Sequence, residues 1–159
     1  MNANPNDSSF EDPLENYEPK TYEDPLERAI SEEPSIRIQH EPHTSVSPET
    51  TIAEAVQKLA SIHVSCLLVE EHNQLVGVFT EREVLQKVAL GEVSTDRPLR
   101  EVMTTDPVFV RVDDPIASTL CVMAVHGYRH VPILGNNNEV VGIISPQRVT
   151  KFLSEHFNT

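Results

Sequence analysis

The sequence predicts a mixed α/β (α+β) fold built from two similar halves that share a core. Each half runs strand, helix, strand, strand, helix. Three observations predict this. LVGVFTERE (75–83) and VVGIISPQR (140–148) superimpose with a constant shift of 65 residues. A short all-apolar run of strand length precedes each of them, CLLV at 66–69 and VPIL at 131–134. Ahead of each run lies a segment with apolar residues at helical spacing. Either half alone would bury little apolar surface, so two halves closing on one another is the stable solution.

The chain opens with acid and proline. Residues 1–45 hold 11 acids and 3 bases, a net of −8, with 6 of the 12 prolines and none of the 5 glycines. Apolar residues are sparse up to Tyr22, so a disordered acidic arm is expected over 1–23. FEDPLE (10–15) recurs as YEDPLE (22–27). The first copy breaks at Asn16, Tyr17 and Pro19, and reads either as a duplicated tail or as a partner motif that mimics the second. The second copy continues into ERAIS, where Leu26, Ala29 and Ile30 fall at helical spacing. Asp24 suits a helix cap and Pro25 the first helical position. A short docked helix is expected over 24–31, within a lead-in that spans 24–45.

In the first half (46–98), Pro48 marks a turn and a helix follows with Ile52, Val56 and Leu59 on one face. Residues 66–69 form a strand, HNQ a turn, and LVGVF (75–79) a second strand. Thr80 opens a helix carrying Val84, Leu85 and Val88. Thr80 and Glu83 stand at capping-box spacing, and Gly91 closes the helix. In the second half (99–159), VFVRV (108–112) is a strand and Asp113-Asp114-Pro115 starts a helix with Ile116, Leu120 and Met123 inward. Residues 131–134 are a strand, 135–138 a turn, and 140–144 the partner strand. Ser145-Pro146 opens the last helix with Val149, Phe152 and Leu153. Strands that are apolar on both faces call for helices to cover them.

Composition excludes several function classes. The chain carries 25 acids and 12 bases, a net charge of −13. That balance repels phosphate backbones and anionic lipid heads, so neither a nucleic-acid polymer nor a membrane is expected as partner. No apolar run approaches the roughly 18–20 residues that span a bilayer. MNANPNDSSF lacks a secretory signal's basic start and apolar stretch. Cys66 and Cys121 lie in apolar runs without CxxC spacing, which predicts buried, reduced thiols and a cytoplasmic location. There is no nucleophile elbow, Walker loop or dinucleotide fingerprint, and the 7 histidines have no clustered acid partner. An enzyme is therefore not expected, and no catalytic residue is assigned. His126 and His130 are four apart, but Gly127 interrupts them and no third ligand is near, so no metal is expected. His40 and His43 read as solvated loop residues.

The paired pattern resembles a tandem cystathionine-β-synthase-type (CBS) domain pair, the Bateman module. The residues that carry the resemblance are GVFTERE (77–83), GIISPQR (142–148), YRHVPI (128–133) and the linking segment REVMTTDPVFV (100–110). The DPLERAI segment resembles the N-terminal helix of small stand-alone bacterial members. The likeness covers roughly residues 24–157. It implies two CBS repeats related by a pseudo-two-fold axis, a flat homodimer, and an adenosine-nucleotide site formed by Gly-h-h-[Thr/Ser]-x-x-Asp, where h is apolar. In such a site the hydroxyl and following helix start donate to phosphate, and the carboxylate accepts the ribose hydroxyls.

Carried over to this chain, the first site takes Thr80, Arg82 and, in the aspartate place, Glu83. A capping box would use Thr80 and Glu83 equally well. In the second site Ser145 keeps the hydroxyl, but Arg148 stands in the aspartate place. A guanidinium only donates, so it cannot hold ribose hydroxyls in the family manner. Either this site is empty, with Arg148 filling it or paired with an acid, or Arg148 meets a phosphate. Arg129 and His130, just before Val131-Pro132, are expected to point at the first site's phosphates. Adenine-facing lips are expected from Thr44 and Val46 for the first site and from Thr104 and Val108 for the second. The resemblance implies a regulatory module that binds AMP, ADP or ATP, with S-adenosylmethionine also admitted, and that signals to an unknown protein in trans. The rival reading is a ligand-free dimeric scaffold.

Overall fold

The computed structural model describes residues 20–39 and 43–157. Most of the expected acidic arm, the first EDPLE copy and His40 lie outside the described residues. The second copy forms α1 (Pro25–Glu32), where the Asp24 carboxylate accepts from the Leu26 amide at 2.8 Å. A 3-10 turn at Ser35–Ile38 follows, then β1 (Ser45–Val46), α2 (Ile52–Ile62), β2 (Cys66–Glu71) and β3 (Gln74–Thr80). Next come α3 (Glu81–Glu83), a π turn at Val84–Val88, a 3-10 turn at Leu99–Glu101 and β4 (Thr104–Thr105). The second half contributes β5 (Val110–Arg111), α4 (Ile116–His126), β6 (Val131–Leu134), β7 (Val140–Ile144) and α5 (Pro146–Phe157).

These strands make two sheets, in the orders β1-β2-β3-β4 and β5-β6-β7. In both, a two-residue strand runs parallel to the first arm of an antiparallel hairpin. α2 and α4 each have 11 residues and each ends in a left-handed residue, His63 at φ 54° and Gly127 at φ 65°. Glycine meets that conformation without steric cost, whereas His63 is held there by the chain around it. The repeat is 64 residues across these helices and 65 across the later hairpin strands, because the second hairpin turn is one residue longer.

Each half closes its core with chain from outside itself. Leu99 and Val102 are fully buried beside Ile52, Leu67 and Phe79 in the first core. The Ile52 amide donates to the Arg97 carbonyl at 3.0 Å, and the Leu99 amide to the Thr50 carbonyl at 2.8 Å. Leu99 and Val102, just past the expected 98/99 boundary, thus pack in the first core. On the other side, Ala29 and Ile38 join Ile116, Val149 and Phe152 in the second core. The Ser35 amide donates to the Asp114 carbonyl at 2.7 Å, and the buried Ser35 and Thr119 hydroxyls lie 2.9 Å apart. The docked helix thus serves the half more distant in sequence, packing on α4 and α5. A third cluster, Cys66, Leu68 and Ile143, joins the two sheets along a seam.

Several local expectations need correction. The strand expected over 108–112 reduces to Val110–Arg111. α4 starts only at Ile116: the Asp114 carboxylate accepts from the Arg111 amide at 2.7 Å, and Pro115 takes the cap position without a side-chain bond. The helix after Thr80 rewinds to a π turn, and Leu85 is 67% exposed rather than inward. Cys121 is exposed on α4, since Ile116 and Thr119 define the buried face there. Leu99→Ala should lower stability by about 2–5 kcal/mol in urea denaturation, the range for a buried leucine in a closed core. A change within the noise would place Leu99 outside that core.

Candidate functional site

Two crevices flank the seam between the halves. The first is lined by Thr80, Arg82, Glu83, Thr104 and Pro107, and across the seam by Tyr128. The second is lined by His43, Thr44, His63, Ile143, Ser145 and Gln147. Ser65, Cys66, Arg129 and His130 line both. The 64-residue repeat maps His63–Cys66 onto Gly127–His130, so the same stretch of each half walls the crevice of the other. The elements expected around residues 80 and 145 are therefore mirrored across the seam.

The lips are exchanged relative to expectation. Thr104 lies in the first crevice because β4 pairs with β3, with Thr104 opposite Val78. Thr44 lies in the second, next to β2, where its carbonyl accepts from the Leu68 amide at 3.0 Å. Val46 turns instead toward the first core, and Pro107 rather than half-buried Val108 lines the first crevice. Pro132 is buried within β6. Arg148 is half-buried on α5 and is not among the residues lining the second crevice. Arg129 and His130 face both crevices, not the first alone. His43 is a crevice residue, with its Nε2 3.7 Å from the Glu70 carboxylate, and not a solvated loop residue. His63 and Ser65 were not singled out in the sequence, and Tyr128 only as part of the YRHVPI motif. The repeat held the signal: Arg129-His130 has Ser65-Cys66 as its image.

Glu83 is 6% exposed, and its carboxylate is fully engaged. One oxygen accepts from the Thr80 amide at 2.8 Å and from the Thr80 hydroxyl, and the other accepts from the Thr104 hydroxyl at 3.0 Å. A buried carboxylate requires such donors. The capping box is thus formed, with the Thr80 hydroxyl also accepting from the Arg82 amide at 3.2 Å. Burial, and secondarily the Glu83 charge, push the Cys66 thiol up to about 12. Burial also holds His130 below its ordinary 6.5; Arg129 adds to that effect and Glu81 opposes it. The cavity volumes differ, about 80 Å³ for the first crevice and about 350 Å³ for the second. Only the second reaches the roughly 300–1,000 Å³ of ordinary ligand pockets. Among the described residues, no cluster of three His, Cys, Asp or Glu is placed to hold a metal, and no helix is long and apolar enough to cross a membrane.

Residues 36–90 and 99–155 both match the CBS domain family. The chain belongs to the CBS domain family. A 17.7 kDa uncharacterized protein of Acidianus ambivalens is 31% identical over 68% of this chain and 65% of its own length. This CBS pair spans only about a fifth of longer plant CBS-domain relatives. The CBS domain protein PAE2072 of Pyrobaculum aerophilum, solved in complex with AMP, is 25% identical at a TM-score of 0.70, covering 79% of this chain and 99% of that one. The CBS domain pair of MJ0100, solved with 5′-methylthioadenosine and S-adenosyl-L-methionine, shares the fold at 21% identity and a TM-score of 0.69, covering 77% of this chain and 96% of that one.

Two outcomes follow from this geometry. Glu83→Gln turns an amide NH2 toward groups that already donate, and should cost about 1–3 kcal/mol by urea denaturation; an unchanged midpoint would show that the carboxylate is not held as described. Iodoacetamide applied to the native protein at pH 8, read by mass spectrometry, should modify Cys121 and spare Cys66 until denaturant is added. Rapid modification of Cys66 would contradict its burial.

Proposed function

We propose that this CBS pair is a regulatory module that binds an adenine nucleotide, AMP, ADP or ATP, in the cleft between its two repeats and signals to a partner protein in trans. The observation that carries this reading is the amphiphilic crevice at the seam. Cys66, Leu68 and Ile143 give it an apolar floor suited to a flat base. Arg129, His130 and the hydroxyls of Thr80 or Ser145 give it a polar rim suited to phosphate or ribose. AMP bound to a relative of the same fold supports the ligand class, and S-adenosylmethionine remains in the test panel on the same ground. The net charge of −13 does not oppose a nucleotide, since exposed distant charges are screened beyond about 8–10 Å. A ligand bridging the seam would alter how the halves pack and so the surface shown to the partner. The role is read as non-catalytic and the location as cytoplasmic, with neither a nucleic-acid polymer nor a membrane as partner.

A second reading is a dimeric scaffold without ligand. It is favoured by the exposed apolar residues Leu85 (67%), Leu90 (70%) and Val125 (77%), and by Glu83 being engaged in its cap. A homodimer through helix faces is compatible with both readings. Thermal shift with ATP, ADP, AMP and S-adenosylmethionine separates the readings. The module should gain about 2.7 kcal/mol at a ligand concentration 100 times Kd, and Arg129→Ala should abolish the gain. No shift with any of the four at millimolar concentration, together with a dimer that Leu85→Arg dissociates, would replace the module by the scaffold.

A further inference from the structure

The two crevices differ in chemistry more than the repeat suggests. Glu81, Arg82 and Glu83 line the first, and its cavity volume is about 80 Å³. None of the described residues lining the second carries a carboxylate, its volume is about 350 Å³, and His43, His63, Arg129 and His130 converge on it. We infer that this chain takes one phosphorylated nucleotide, seated in the Ser145 crevice, with its phosphates on His43, His63, Arg129 and His130. This rests on the nucleotide-binding reading above and reverses the site preference that the Thr80-x-x-Glu83 motif suggests.

Charge and hydrogen bonding favour this crevice. Arg129 offers a planar fork of donors, and each imidazole gains a second donor on protonation. Among the charged groups around the three histidines, Glu70 stands beside His43, and Glu81 lines a pocket with His63 and acts on His130, while Arg129 opposes the protonation of His130. A polyphosphate brings more negative charge than either carboxylate and draws protons onto the imidazoles. Binding therefore takes up protons and tightens as the pH falls. The floor of Cys66, Leu68 and Ile143 accepts the base.

Two consequences set the ligand class. No carboxylate lies among the described residues lining this crevice, so none reads the ribose hydroxyls there. Recognition shifts to the phosphates, and affinity should rise from AMP through ADP to ATP. Arg129 and His130 also serve both crevices. Once a polyphosphate engages them, the first crevice is left with Glu81, Glu83 and Arg82, an environment that repels a second one. One polyphosphate per chain is the expected stoichiometry.

Isothermal titration of the full chain with ATP and 2′-deoxyATP, at pH 7.5 and 6.0, tests this. One site per chain is expected, with at least about threefold tighter ATP binding at the lower pH. 2′-DeoxyATP should bind within about threefold of ATP, because no carboxylate among the described lining residues accepts the ribose hydroxyls. His63→Ala should weaken ATP about tenfold, the scale of one charge-assisted contact, and Arg82→Ala should leave it unchanged. If His63→Ala fails to melt cooperatively, His43→Ala gives the same readout from a residue outside the helices. Loss of binding in Arg82→Ala with retention in the histidine variants would move the ligand to the first crevice, overturning this inference and sparing the nucleotide module. Two sites per chain, or a tenfold penalty for the deoxynucleotide, would also overturn it. Absence of binding by ATP, ADP and AMP alike would end both readings.

Discussion

Leu99 and Val102 fill the core formed by α2, β2 and β3, while Ala29 and Ile38 fill the one formed by α4, α5 and β6. Each CBS repeat is thus closed by a segment that precedes the other repeat in the chain. This exchange is the constraint on which the rest depends. It ties residues 25–38 to the second repeat by Ser35–Asp114 and Glu33–Ile116 backbone bonds, and ties residues 97–105 to the first by Arg97–Ile52 and Thr50–Leu99. The chain thus crosses between the halves twice, and Cys66, Leu68 and Ile143 join them along the seam.

The seam inherits its chemistry from that closure. Because β4 is drawn onto β3, the Thr104 hydroxyl reaches Glu83 and completes the set of donors that a buried carboxylate needs. Because the loops after α2 and α4 both turn through a left-handed residue into the central strands, Ser65-Cys66 and Arg129-His130 meet the two crevices from opposite sides. The first crevice is narrowed by its own cap, and the second keeps its volume and its basic rim. A duplicated fold therefore offers two sites that are alike in backbone and unlike in charge.

Gly77 shows how close this packing is. A β-carbon built there would stand 2.7 Å from the Met103 sulfur and 3.0 Å from the Thr104 carbonyl. At Gly142 the corresponding neighbour is the Gln39 side chain. In both repeats the strand glycine admits the crossing segment, Met103–Thr104 after the first repeat and Gln39 ahead of the second. The glycines common to the two motifs serve this exchange.

Duplication, the order of elements, the Asp24 cap, the capping-box spacing of Thr80 and Glu83, and most inward faces were legible in the sequence. These depend on local spacing and on side chains bonding to backbone within a few residues, and local rules suffice for them. Which lip meets which crevice, that His43 and His63 join Arg129 and His130, and that Cys121 is exposed were decided only in the tertiary structure. Those facts depend on contacts between residues tens of positions apart: β4 pairing with β3, Thr44 lying against Leu68, Ser35 meeting Thr119. Apolar runs around Cys66 and Cys121 look alike in sequence, but one lies on a strand covered on both faces and the other on a helix covered on one, and only packing tells them apart.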